Sequence, residues 1–279
     1  MTPILAFDIE TVPDVDGIRR IHDVPSQVGD EDVLAWYRNY RRAATGGEFP
    51  PLYLHRVVAV GCVLRDSAAL TVWSLGELSD PEPELIRRFF DGIERYTPQL
   101  VSWNGGAFDL PVLQYRALMH GVGAARYWDW GDDDRDFRFN NYLARFHTRH
   151  LDLMDVLAMF QPRAYAGLDA MARLAGFPGK LGVGGGAVAA SVAAGRLAEV
   201  RNYCECDVMN TYLLYLRFRL MRGEMDPAEY ARELALVRER IAGLNASHWR
   251  TFLDAWDRAG DRRERGEVGA CPAGSSDTH

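Results

Sequence analysis

The chain opens on a short apolar run, Ile4 to Ile9, bounded by Pro3 and Pro13, and this pattern predicts a buried strand. Residues 14 to 55 hold no sustained period apart from a helix near Asp32 to Arg42, and a Gly-Gly-x-x-Pro-Pro break follows at residues 46 to 51. Arg56 to Leu64 and Leu70 to Leu75 then read as a hairpin pair of strands. Asp80 is placed to cap a helix running to about Tyr96, Leu100 to Trp103 makes a further short strand, and Asn104-Gly105-Gly106 turns the chain into a helix from Phe108 to Met119. Residues 127 to 147 are polar, aromatic and Asp-rich, the composition of a long surface loop. Helical spacing returns over Leu151 to Phe160 and Leu168 to Ala175, and the glycines from Gly179 to Gly186 read as a flexible connection. The longest helical pattern is amphipathic and spans Leu197 to Met221, with two more helices near Pro227 to Ile241 and Ser247 to Ala259. From about Arg258 the apolar period stops, which predicts a disordered tail. Strands first, then one strand among helices, then a helical last third describe a single α/β or α+β domain with a mixed sheet.

Composition changes this picture little. Hydrophobic residues make up 48% of the 279 and charged residues 25%, an ordinary globular balance. The formal charge of −7 argues against a protein that coats nucleic acid or an anionic membrane. Lys180 is the only lysine, so 32 basic residues less one leave 31 arginines, a skew that reads mainly as composition. The first ten residues carry no basic segment, and the longest apolar stretch, Val57 to Leu64, is far too short to cross a bilayer. The four cysteines do not make a zinc set: only Cys204 and Cys206 are close, and on a helix they point to different faces. Reduced thiols and a cytoplasmic location are expected.

Three segments carry chemistry. In Phe7-Asp8-Ile9-Glu10-Thr11, positions two apart on a strand share a face, so the two carboxylates project together. Paired acids at a buried strand end repel and are costly to desolvate, and a hard divalent cation would offset that cost. A strand end with solvated acids fits this segment equally well. In Trp103-Asn104-Gly105-Gly106-Ala107-Phe108-Asp109, an acid stands in the first turn of a helix, where it serves the helix dipole or presents a further carboxylate at a second strand end. In Tyr203-Cys204-Glu205-Cys206-Asp207, Tyr203 and Asp207 lie four apart on one helical face, and mid-helix aspartate has poor propensity and no capping role; a tyrosine at a helix–sheet contact with a solvent-facing acid is the structural alternative.

Together these segments resemble the DEDD exonuclease superfamily, in the branch marked by a tyrosine, and most closely predicted 3′–5′ exonucleases akin to the proofreading domain of family B DNA polymerases. His150 to Asp155 and Gly176 to Lys180 add to the likeness, which covers residues 1 to 222. The resemblance implies a ribonuclease-H-like three-layer fold, a mixed five-stranded sheet with helices on both faces, followed by a helical extension over residues 223 to 259 and a tail from 260. It implies two divalent cations, Mg²⁺ or Mn²⁺, held by Asp8, Glu10, Asp109 and Asp207, with Tyr203 orienting the attacking water. Thr11, Asn104 and Phe108 become candidates for holding the terminal nucleotide. The implied partner is a single-stranded 3′ end, DNA ahead of RNA, with a place in replication or repair. A non-catalytic nucleic-acid-binding module on the same fold is the alternative, and a phosphohydrolase using an acid of the D-x-E pair ranks third. Asp152, Asp155, His147 and His150 take structural roles in this reading, and Asp132 to Asp134 a solvated loop. The Gly182 to Gly186 run lacks the strand and the ending of a phosphate-binding loop.

Overall fold

A first strand that must bury both faces needs apolar side chains on alternate positions of each, and Ile4 to Ile9 supplies them. The structure, a computed structural model, describes residues 2–182 and 185–264. In it β1 (Ile4–Pro13) is the centre of a five-stranded sheet. β2 (His55–Arg65) runs antiparallel to β1, and β3 (Leu70–Ser74) antiparallel to β2. β4 (Gln99–Ser102) and β5 (His150–Asp152) lie parallel on the other side, giving the order β3-β2-β1-β4-β5. Ile4 and Ala6 face a core shared with α6 (Leu168–Leu174), α8 (Leu197–Met221), α9 (Pro227–Gly243) and α10 (Ser247–Glu264). Leu5, Phe7 and Ile9 face a second core shared with α3 (Glu82–Tyr96) and α4 (Asp109–His120). Helices thus cover both faces of a mixed five-stranded sheet, the ribonuclease-H-like arrangement that was expected.

Helix α8 differs from its amphipathic expectation. It lies against β1, β2, β3 and β4 and also against α6, α7 (Val188–Ala193), α9 and α10, and every residue from Cys206 to Leu216 is buried. A helix enclosed on all sides needs apolar residues all round, so its pattern is broader than one stripe.

Several other expectations need correction. Residues 14 to 55 contain a second helix, α1 (Val15–His22), capped by the Asp14 carboxylate on the Gly17 N–H, and it packs on α2 (Asp30–Thr45). Asp80 does not cap α3; its carboxylate accepts from the Glu77 N–H at 2.8 Å and closes the preceding turn, while Pro81 stands at the cap. Leu151 to Phe160 is not one helix: β5 ends at Asp152, whose carboxylate then caps the five-residue α5 (Leu153–Leu157). A three-residue strand is too short to display a period of two. Residues 127 to 147 are no mere surface loop, because Tyr127, Phe137 and Tyr142 are buried in the second core, and the Asp129 carboxylate gathers the N–H groups of Gly131, Asp132, Asp133 and Asp134. Helix α10 runs to Glu264, past the expected start of the tail; residues 265 to 279 lie outside the described residues. Among the described residues, no helix is long and apolar enough to cross a membrane.

The position of α4 is set by a buried charge cluster. Arg116, 2% exposed, donates to Glu82 and to Asp14; Glu82 also accepts from the Val57 N–H at 2.7 Å and pairs with His120 at 2.8 Å. One guanidinium therefore ties α4 to the starts of α1, α3 and β2. Arg116→Met removes the guanidinium shared by two buried carboxylates and is expected to destabilise by about 3–5 kcal/mol. Chemical denaturation measures this, and a loss below 1 kcal/mol would contradict the account.

Candidate active site

Asp8 and Glu10 continue the face of β1 that begins with Ile4 and Ala6, so both point toward α8. Val12, on the same face, packs with Val188, Val200 and Cys204 and closes the row. The acids thus sit between apolar residues of one strand face, opposite a helix that carries Asp207. Opposite Asp8 in the register stands Gly61, and a β-carbon there would come within 2.9 Å of Cys204 Sγ and 3.0 Å of its carbonyl oxygen. Absence of that carbon lets α8 approach the sheet at the level of the acids. The β1–β2 register shifts between Glu10 and Thr11, an irregularity of the kind found beside active sites.

Asp109 arrives from the other side. The parallel pairing of β1 with β4 stops at Ala6–Val101, so β1 continues past its neighbour. The Ile9 N–H, beyond that pairing, donates to Asp109 Oδ1 at 3.0 Å. This bond places the first residue of α4 beside the D-x-E segment.

Tyr203 and Asp207, 5% and 1% exposed, are joined by the chain's only lysine. Lys180 Nζ lies 2.9 Å from the Tyr203 hydroxyl and 2.7 Å from Asp207 Oδ2. The other Asp207 oxygen is buried with no hydrogen-bond partner among the described residues. Lys180 belongs to the stretch expected to be a flexible connection, yet its backbone is anchored. Asn210 of α8 bonds both the Gly179 N–H and carbonyl, at 3.2 and 2.8 Å, and Asp169 accepts from the Lys180 N–H at 2.8 Å. Gly179 has φ +73°, and a β-carbon there would strike Asp169 and Arg173. Residues 183 and 184 of the glycine run lie outside the described residues. The lone lysine beside a glycine was the available signal for this residue.

Electrostatics follow from the crowding. Burial raises Asp8 well above the usual carboxylate range, and the charges of Asp109, Glu10 and Asp207 add to it. Burial and Asp207 push Glu10 up to about 8; burial pushes Asp109 up to about 7 against the pull of its backbone hydrogen bonds. Asp207 is raised by burial despite Lys180. Burial and Asp207 together also raise Tyr203, so its hydroxyl keeps its proton. Four acids against one ammonium, with a buried oxygen left over, form a donor set suited to hard divalent cations. Asp8, Glu10 and Cys204 offer ligand atoms within 4.8 Å of one another, and the thiol lies 3.7 Å from Asp8 Oδ2.

The three candidates for substrate contact separate. Thr11 Oγ1 lies 2.9 Å from His55 Nδ1, and the ring of Phe108 meets His55 edge-on at 5.2 Å. His55 Nε2 lies 3.2 Å from the Pro50 carbonyl, which favours the tautomer in which the Thr11 hydroxyl donates to Nδ1. Phe49, 60% exposed, lies over His55 at 4.8 Å and near Phe108 at 6.1 Å. Phe49 and His55 were not foreseen, because neither falls in an acid-bearing motif. Asn104 stands apart: at φ +71° it shapes the turn before α4, and its N–H donates to Asp152 at 2.9 Å. Asp152 also accepts from Gly106, Met154 and Asp155, and Asp155 is paired with Arg145, which are structural tasks. His150 lies 2.8 Å from Ser102 Oγ, its pKa lowered by burial to about 4, and His147 Nδ1 accepts from the Asn141 N–H.

Residues 47–256 match a family described as predicted 3′–5′ exonucleases related to the exonuclease domain of PolB. The match takes in Asp109, Lys180, Tyr203 and Asp207 and begins after β1, so Asp8 and Glu10 fall outside it. No curated protein matches the chain.

Proposed function

The chain belongs to this family of predicted 3′–5′ exonucleases, and we propose that it removes nucleoside 5′-monophosphates from single-stranded 3′ ends, DNA in preference to RNA, with two Mg²⁺ or Mn²⁺ ions. Asp8, Glu10, Asp109 and Asp207 would hold the ions. Bound there, they would activate water and stabilise the leaving 3′ oxygen of an in-line displacement. One observation supports the reading most: four carboxylates keep raised pKa values although the Lys180 charge acts on all of them, Lys180 is ion-paired only with Asp207 among them, and one Asp207 oxygen has no partner among the described residues.

The chain's other residues then have defined tasks. The Tyr203 hydroxyl, protonated and fixed by Lys180, orients the attacking water. Lys180 restrains Asp207 and offsets part of the acid cluster's charge ahead of an anionic phosphodiester. Phe49, Phe108 and His55 provide an aromatic surface beside Thr11 for the terminal nucleotide. Single-stranded oligonucleotides labelled at either end test this directly. Stepwise shortening from the 3′ end, dependent on Mg²⁺ or Mn²⁺ and abolished by EDTA, is expected. Binding without cleavage would replace it with a nucleic-acid-binding role, and phosphate release from small phosphoesters alone would replace it with a phosphohydrolase.

Tyr203→Phe is expected to lower kcat by about 10²-fold with metal affinity retained. Lys180→Met, which frees that hydroxyl from its anchor, should lower kcat in the same direction with little change in KM. Single-turnover rates and metal titration by calorimetry read the two apart. Loss of metal binding in Tyr203→Phe would contradict its role.

A further inference from the structure

A cavity of about 540 Å³ is lined in part by the turn that delivers Asp109. Gly106 and Ala107 form one wall, and the 127 to 147 segment and the chain around α5 form the others. Asp152 fixes that shared wall by accepting the N–H groups of Asn104 and Gly106. A strand whose end lies among the catalytic acids therefore has this cavity as its neighbour across a single turn.

Its lining is aromatic. Trp128 and Trp130 line it while staying 46% and 55% exposed, and Phe160 and Tyr165 line it as well. Phe160 is held there at a conformational cost. Met159 and Phe160 have φ +53° and +59°, two successive left-handed residues with bulky side chains, and such strain gathers at functional sites. The ring is braced by Phe146 at 4.9 Å and by the Arg145 guanidinium at 5.2 Å. Arg145 itself is bound to both oxygens of Asp155, which also accepts from the Tyr165 hydroxyl. The cavity's cation is thus already neutralised, which disfavours a phosphate as occupant. Flat rings without free charge suit a nucleobase, whose faces stack on aromatic side chains whatever its identity.

We propose that the cavity walled by Ala107, Trp128, Trp130 and Phe160 is a subsite that stacks one base of the substrate strand upstream of the nucleotide being removed. It rests on the exonuclease reading and adds to it a second point of grip, set by stacking and tolerant of sequence. An abasic nucleotide placed in turn at each of the second to fifth positions from the 3′ end tests it on the unaltered protein. At one position KM is expected to rise about tenfold, the scale of one lost stacking contact. Trp130→Ala should raise KM for the intact strand by the same factor and add nothing on the strand abasic at that position, while Trp130→Phe restores most of the affinity. Equal KM for all the abasic strands, or effects of the variant and the abasic position that multiply, would overturn the subsite. Quenching of tryptophan fluorescence by intact and abasic strands reads the same contact in a protein that cleaves nothing. Failure of cleavage then counts against the exonuclease reading, and equal quenching against the subsite.

Discussion

Asp8→Asn is expected to lower the rate of 3′-end hydrolysis by about 10³-fold or more, since it removes the acid on which three other carboxylates converge and with it several kcal/mol of metal-borne stabilisation. The same substitution should raise the stability of the metal-free protein at pH 8. Asp8 is disfavoured as an anion by burial first and by Asp109, Glu10 and Asp207 next, and the amide keeps its shape without the charge. A neutral oxygen at that position can still accept from the Cys204 thiol. Steady-state turnover on labelled oligonucleotides and thermal melting in EDTA give the two halves of the result. Retention of activity within tenfold would remove Asp8 from the metal-binding set. A melting temperature that falls would show that its carboxylate stabilises the fold.

Melting temperature should also fall with pH in the metal-free protein. Glu10 titrates near 8 and Asp109 near 7 in the folded chain, against 4.5 and 3.8 in an unfolded one. Folding therefore retains protons that the unfolded chain has already released, and stability is lost as pH rises through those folded values. Below pH 6.5 His150, held neutral by burial to about 4, contributes a trend of opposite sign, so the informative window is pH 6.5 to 8.5. Over it a loss of about 2 kcal/mol, or roughly 4–8 °C, is expected. Saturating Mg²⁺ or Mn²⁺ should reverse the slope, because the ions bind the deprotonated acids and stabilise the fold that holds them. A flat profile in EDTA, or no response to either ion at pH 8, would mean that these acids are not a metal site.

How far the site could be read without the structure depended on the range of the physics. Asp8 and Glu10 share a face because a strand repeats every two residues, and Tyr203 and Asp207 because a helix repeats every 3.6; both are local rules, and both pairs lie as those rules require. That Asp109 joins them depends on β4 stopping at Ser102 while β1 continues, a matter of unequal strand lengths that no local pattern displays. Lys180 is further from view, since its position depends on Asn210 and Asp169 gripping a turn from two different helices. Phe49 and His55 come together only through the folding back of the chain after α2. The 127 to 147 segment looked solvated because its polar residues outnumber its apolar ones, yet Tyr127, Phe137 and Tyr142 suffice to anchor it on the second core. The outline of the sheet and of α8 was legible; the three-residue β5 and the α1 helix were not.

The central place of β1 in the sheet has a consequence for how activity arises during synthesis. β1 acquires its parallel neighbour only with residues 99 to 102, and its acids meet Asp207 only when α8 exists. Donors at positions 8, 109 and 207 divide the chain into spans of about a hundred residues, each requiring closure of a long loop before any contact can offset its entropy. A chain that ends before α8 holds no more than three of the four carboxylates. With the proposed set of acids, hydrolysis would therefore begin only once α8 has docked on the sheet, where Cys204 comes against Gly61.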